Sequence, residues 1–272
     1  HYWVGPDEVD KLLRRGGAWL ASHPERELIA RRYLRHDRRL TTDALARLLA
    51  DEPEDPDELE AAHDAEEASV EKPISLNEQR LTAVIEQIQA TGARRVVDLG
   101  CGAGNLIQRI LRDTNVEKVL GVDVSYRSLQ VASRRLHLET MAPRQRERVD
   151  LAQGALTYRD RRLQEFDTAT VVEVVEHLDP PRLGAFERSL FAHARPANVI
   201  VTTPNVEYNV LFETLPAGSL RHRDHRFEWT RADFAEWAEA IAGRHGYGVE
   251  FHGVGPHDAE RGAPTQMAVF RR

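Results

Sequence analysis

Apolar and polar positions change their period several times along this chain. Over residues 7–50, Leu12, Leu13, Trp19, Leu20, Leu28, Ile29, Tyr33 and Leu34 recur at about helical spacing with arginines on the other face, and Thr41 or Thr42 caps a further helix over 43–50. The arginine face reads as a solvated surface or as a face for a partner or RNA. Residues 51–71 bury too little apolar surface to offset their ordering entropy, which predicts a linker with at most a transient helix. From Leu76 an amphipathic helix carries Leu81, Val84, Ile85 and Ile88.

Strands and helices then alternate. The pattern predicts strands at 94–99, 118–123, 149–153, 167–175 and 198–203, with helices at 104–113, 126–137 and 181–193 between them. Thr230-Arg-Ala-Asp233 opens a helix through Ala242 as a variant capping box, and Gly248–Val254 with Thr265–Phe270 forms a closing hairpin. Such alternation implies an α/β fold: a Rossmann-like, doubly wound, mostly parallel sheet with helices on both faces, preceded by a helical N-terminal segment. The expected divisions are 1–50, the end of an upstream domain; 51–71, an acidic linker; and 72–272, the α/β domain.

Composition narrows the setting. With 41% hydrophobic and 30% charged residues the chain reads as soluble. No apolar run approaches the roughly 20 residues of a membrane span, and the start has no signal-peptide pattern. The single cysteine, Cys101, excludes an intrachain disulfide and fits a cytoplasmic location. The chain begins with His1 rather than methionine, as expected of a piece of a longer protein. Its net charge of −7 is misleading, because residues 51–71 hold eleven carboxylates and no Lys or Arg, leaving +4 elsewhere. Attraction to nucleic acid must therefore come from a local patch.

The chemistry begins at Ala93 to Asn105, where the β-branched pair Val96 and Val97 gives way to glycines at 100, 102 and 104. A strand, a glycine turn and a helix N-terminus make a nucleotide-sized pocket. Asn105 stands where a dinucleotide fingerprint has its last glycine, and no Lys-Ser/Thr follows as in a P-loop, which disfavours NAD and ATP. A second carboxylate, Asp123, ends the next strand, where it can accept hydrogen bonds from both ribose hydroxyls. Together these residues resemble motif I and the acidic motif of class I S-adenosylmethionine-dependent methyltransferases. The resemblance implies that Gly100, Gly102 and Gly104 line the cofactor and that Asp98 lies near its cationic methionine end. Gln153, Ala155 and Leu156 stand where such enzymes flank adenine, or they serve ordinary strand-end packing.

Glu173, Glu176 and His177 end the fourth strand at i, i+3, i+4 spacing and share one face if the chain turns helical there. Small-molecule methyltransferases often carry a similar Glu-His without a metal. The loop Leu220–Thr230 adds two histidines, three arginines and two aromatics, more charge than core packing calls for. A loop over the carboxyl edge can bring His225, with His222 as the alternative, to that cluster. Two carboxylates and two imidazoles suit manganese or magnesium, and the absence of thiolates argues against structural zinc.

Residues 75–272, through Ser75-Leu-Asn-Glu-Gln-Arg80, the glycine turn, Glu173-Val-Val-Glu-His177, Thr203-Pro-Asn-Val-Glu-Tyr-Asn209, Arg221-His-Arg-Asp-His-Arg-Phe-Glu-Trp229 and Pro264-Thr-Gln-Met-Ala-Val-Phe270, resemble the HEN family of RNA 3′-terminal ribose 2′-O-methyltransferases, its bacterial RNA-repair branch most closely. The resemblance implies a seven-stranded sheet and a divalent ion held by Glu173, Glu176, His177 and His225. It also implies a kinase–phosphatase–ligase repair partner and an N-terminal domain that supports ligation. The chemistry agrees: a metal makes a poor ribose nucleophile reactive, and chelating the 2′- and 3′-hydroxyls together selects the last nucleotide of an RNA. Arg80, Arg221, Tyr208 and Asn209 are candidates for RNA phosphate or sugar contacts, or for structural pairs. Two rivals are a metal-independent small-molecule methyltransferase, which leaves residues 220–229 without a purpose, and a cofactor-binding scaffold that activates a repair ligase.

Overall fold

The computed structural model describes residues 12, 16, 19, 20, 23, 25–33, 70, 71 and 74–272 and divides the chain into two units, 1–62 and 63–272. In the first unit, helix α1 (Arg26–Tyr33) and helical residues at Leu12, Gly16, Trp19 and Leu20 are described. Leu12, Leu20 and Ala30 are buried, whereas Trp19 and Tyr33, read as part of the same apolar stripe, are exposed. The predicted helix at 43–50 and almost all of the predicted linker lie outside the described residues. The linker's last residue does not behave as a linker: Glu71 is helical and buried, because two arginines of the second unit engage it.

The second unit starts with α2 (Leu76–Thr91), whose Leu76, Leu81, Val84, Ile85 and Ile88 are buried and whose end is closed by Gly92 at φ +66°. There follow β1 (Arg95–Leu99), α3 (Asn105–Asp113), β2 (Lys118–Asp123), α4 (Tyr126–Arg135), the single turn α5 (Pro143–Arg146), β3 (Val149–Gln153) and β4 (Thr168–Val172). The remainder is α6 (Pro180–Glu187), β5 (Asn198–Pro204), α7 (Arg231–His245), β6 (Gly248–Val254) and β7 (Thr265–Arg271). The seven strands run in the order β3-β2-β1-β4-β5-β7-β6. β1 to β5 are parallel, and β7 pairs antiparallel with both β5 and β6. The final hairpin is present, but its second strand, not its first, adjoins β5.

Each face of the sheet carries its own core. Phe186, Phe191, Phe234 and Phe270 pack on one side, and Ile85, Ile88, Ile107 and Ile110 on the other. Burial on both faces explains why the parallel strands read as continuous apolar runs. Among the described residues no helix is long and apolar enough to cross a membrane.

Three boundaries depart from the sequence pattern. The predicted helix at 181–193 is α-helical only to Glu187 and continues as a π-helical stretch, Arg188–Ala194, ending at Arg195 with φ +49°. The predicted strand at 167–175 stops at Val172, because Glu173 turns out of it at φ +52°. α7 runs on to His245; its start has the expected capping box, with Thr230 and Asp233 exchanging hydrogen bonds.

Strand order reverses between β1 and β4, and this is where an open α/β sheet leaves its crevice at the carboxyl edge. Asp98 on β1 lies opposite Thr170 on β4. The glycine turn after β1 and the Glu/His segment after β4 are thereby side by side.

Candidate active site

The glycine turn is required by its backbone. Gly100 has φ +78°, and a Cβ there would lie 2.5 Å from Val174 Cγ2. Gly104, at φ +77°, caps the start of α3. A Cβ on Gly102 would meet nothing within 4 Å, so this position faces open space beside the helix N-terminus. Asp123 braces the turn, its two carboxylate oxygens accepting from the Gly102 and Ser125 N–H groups at 2.8 Å each. Asp98 is buried and accepts from the Thr170 hydroxyl at 2.8 Å. Burial pushes its carboxyl up to about 7, opposed by the Thr170 bond and reinforced by the charge of Asp123.

The expected adenine flank is partly occupied by internal contacts. Gln153 Nε2 donates to the Val124 carbonyl at 2.9 Å, Leu156 packs against the core, and Ala155 is half-buried. Val124 and Tyr126, after β2, are exposed apolar side chains at the same edge. The sequence reading did not single them out; the signal was an apolar residue directly following Asp123.

His177, His222 and His225 each offer a ring nitrogen, and these atoms all lie within 4.8 Å of one another. His177 is exposed on a 3-10 turn, Val175–His177, and the other two are buried. The Arg226 N–H donates to the Glu176 carbonyl at 2.8 Å, which stitches the histidine loop to that turn. Trp229 anchors the far end of the loop against Trp237 on α7, with ring centroids 4.9 Å apart. Trp229 packs on the core, and Phe227 lies against Trp229 with ring centroids 4.6 Å apart.

Glu228, which the sequence reading passed over, sets the orientation of His225. Its Oε1 lies 2.6 Å from His225 Nδ1 and accepts from the Arg221 N–H at 2.7 Å; Oε2 accepts from Asn209 Nδ2 at 2.6 Å. Burial alone would push this carboxyl up, but the bonds from His225, Arg221 and Asn209 and the Arg221 charge hold it below the ordinary range. A carboxylate at Nδ1 places the proton there and leaves Nε2 as a lone pair, which is buried without a hydrogen-bond partner. That is the tautomer a metal ligand needs.

Glu176 is fully buried, its Oε2 accepting from the Thr203 hydroxyl at 3.0 Å. Glu173 does not share a helical face with it, because the positive φ at Glu173 breaks the geometry on which the i, i+3, i+4 reading depended. Instead Glu173 accepts from the Thr202 hydroxyl at 2.7 Å and pairs with Arg80 Nη2 at 3.0 Å. Burial pushes its carboxyl up against the opposing charge of Arg80. The structure thus gathers His177, His225 and the alternative His222, and turns Glu173 toward Arg80.

The four residues expected against RNA are all buried. Arg80 also meets Glu71 at 2.7 Å, and Arg221 reaches Asn209 Oδ1 and the Asn205 and Pro264 carbonyls while its guanidinium lies 5.0 Å from the Phe212 ring. Tyr208 packs with Leu76 and Phe212.

Comparison with known proteins gives the family. Residues 1–49 match the model of an RNA repair, ligase-Pnkp-associating region of Hen1, and residues 33–241 match a methyltransferase domain. The chain is 48% identical to the methyltransferase domain of bacterial CtHen1, covering 72% of this chain and 100% of that one with a TM-score of 0.67. It is 37% identical to a small RNA 2′-O-methyltransferase of Rattus norvegicus, over 72% of this chain and 51% of the relative. It is 34% identical to one of Arabidopsis thaliana, over 76% of this chain and 23% of the relative. The chain therefore spans about half of the length of the first of these relatives and about a quarter of the second.

Proposed function

This chain belongs to the Hen1 methyltransferase family, and from that premise we propose that it methylates the 2′-hydroxyl of the 3′-terminal nucleotide of RNA, using S-adenosylmethionine and a divalent ion, in RNA repair. The observation that carries the reading is the juxtaposition at the switch point: a glycine cradle open at Gly102 beside a histidine cluster in which His225 presents a bare, buried Nε2. The donors fit a metal, since imidazole and carboxylate without thiolate suit manganese or magnesium.

Glu176, His177 and His225 would hold the ion, joined by Glu173 on exchanging Arg80 for it, with His222 beside them. Bound there, the ion supplies a Lewis acid that lowers the pKa of a ribose hydroxyl and favours an end bearing both 2′- and 3′-hydroxyls. The chain's own residues do the positioning. The turn at 100–104 and Asp123 hold the nucleoside part of the cofactor, and Asp98 faces its ammonium. Glu228 keeps His225 in register, and His177, exposed at the mouth, would close the donor set from the solvent side, where water can carry off the hydroxyl proton. Residues 1–49 would dock the ligase and kinase–phosphatase partner, in the cytoplasm.

A metal-independent small-molecule methyltransferase gives no purpose to the Glu228–His225 arrangement. The two readings separate on the product: digestion of methylated RNA to nucleosides is expected to yield only the 2′-O-methyl derivative of the terminal nucleotide. Internal label, or none, counts against the RNA reading.

Cofactor affinity is expected to depend on pH through Asp98. Its carboxyl titrates at about 7 in the free protein, so below that pH the group is neutral and a bound ammonium must first expel its proton. The dissociation constant for S-adenosylmethionine should rise about tenfold per pH unit below 7 and level off above it. The sign for stability is opposite: a raised carboxyl favours the folded cofactor-free protein at low pH, a contribution lost as pH rises from about 4 to about 7. Titration calorimetry at pH 6, 7 and 8 checks the first; a flat affinity removes Asp98 from that role.

A further inference from the structure

Two buried guanidinium groups converge on one carboxylate. Arg80 Nη2 lies 2.7 Å and Arg221 Nη1 3.5 Å from the same oxygen, Oε1 of Glu71. Arg80 is fixed to α2 and Arg221 to the histidine loop, and Arg80 also pairs with Glu173. Two arginines so buried, 4% and 3% exposed, need an anion beside them whether or not a ligand is present. In this structure the chain supplies it from the last of the eleven carboxylates at 51–71.

We propose that Glu71 is a built-in stand-in for an RNA phosphodiester: it occupies the anion seat between Arg80 and Arg221 and must leave for a 3′ end to bind. The inference rests on the RNA reading above. A carboxylate and a phosphodiester are both monoanions with two accepting oxygens, and a guanidinium fork takes either. Exchange leaves the charge of the seat unchanged. The exchange has a direction, because ten further carboxylates without a Lys or Arg precede Glu71, and that segment is repelled by a bound polyanion. The seat also touches the catalytic cluster, since the guanidinium that holds Glu71 holds Glu173. Arrival of RNA at Arg80 and release of Glu173 toward the histidines are therefore linked events, and the departure of Glu71 sets a threshold for RNA entry.

The test is binding of a fluorescein-labelled RNA ten-mer with free 2′- and 3′-hydroxyls to the full chain, followed by anisotropy, beside steady-state methyl transfer. A seat closed nine-tenths of the time weakens apparent affinity about tenfold, so Glu71→Gln is expected to lower both Kd and KM for RNA about tenfold with kcat unchanged. Glu78→Gln, a surface carboxylate that pairs with Arg109, should behave as wild type. Unchanged or weaker binding by folded Glu71→Gln protein overturns the proposal and makes Glu71 a structural brace. If that variant fails to fold, Glu71→Asp decides: a shortened carboxylate that no longer spans both guanidinium groups should tighten binding about threefold, and wild-type affinity overturns the proposal. Wild-type methylation with no gain in the variants sinks the stand-in alone. Absence of RNA binding and methylation in every protein sinks the RNA reading and the stand-in with it.

Discussion

Glu176→Gln is expected to cost about a thousandfold in kcat/KM for methyl transfer while leaving the fold and cofactor affinity intact, a loss of about 4 kcal/mol of transition-state stabilisation. Glu176 is fully buried and accepts from Thr203. A glutamine carbonyl accepts the same bond in the same volume, so the change removes little but the negative charge one residue before His177. His177→Ala should do the same from the exposed side, where truncation costs little packing. The two variants approach one cluster from opposite environments, so a shared loss cannot be traced to a shared packing defect. Single-turnover transfer with saturating RNA, thermal melting and cofactor titration separate the effects. Either variant keeping more than about a tenth of wild-type activity removes the cluster from the reaction.

Gly100→Ala is expected to damage both stability and cofactor binding. The residue sits at φ +78°, which costs an L side chain roughly 1–2 kcal/mol, and the new Cβ would meet Val174 Cγ2 at 2.5 Å, adding about 1–3 kcal/mol of overpacking. Val174 belongs to the segment that leads into Glu176 and His177, so the strain reaches the histidine cluster as well. Gly102→Ala is the control: its φ of +48° carries backbone strain, but its Cβ would enter open space. Denaturant melts should therefore show a loss of about 2–5 kcal/mol at Gly100 and about 1–2 kcal/mol at Gly102. If the cradle faces the cofactor, Gly102→Ala loses cofactor affinity out of proportion to its stability. Equal losses at the two glycines would contradict the steric account.

What the sequence discloses follows physical range. Val96 and Val97 before three glycines, and Thr230 three residues before Asp233, are local signals, and the strand, turn and capping box are where those signals put them. The strand from 167 was read three residues too long, since apolar residues continue through Val175 while the turn at Glu173 depends on Thr202 and Arg80, distant in sequence. The same dependence hid the partner of Glu173: spacing placed it with Glu176, and an ion pair 93 residues upstream in the chain placed it elsewhere. From sequence His225 ranks above His222 only through its likeness to the family's Asp-His-x-Phe-Glu-Trp pattern; the structure adds a physical distinction, with Glu228 holding Nδ1 of His225 whereas His222 Nδ1 accepts the Asp224 N–H. Composition concealed Glu71 altogether; an acidic stretch reads as solvated unless buried cations elsewhere claim one of its members. The helical reading of 7–50 meets the structure only at α1 and a few residues before it.

The most direct measurement is transfer of labelled methyl from S-adenosylmethionine to a short RNA, with manganese or with a chelator, alongside the same RNA ending in a 3′-phosphate or in 2′-deoxyribose. Transfer confined to the RNA with both terminal hydroxyls, and lost with the chelator, is the expected result. Equal labelling of the blocked ends, or transfer undisturbed by the chelator, would contradict a metal-held 3′ end and return the histidine cluster to a structural role.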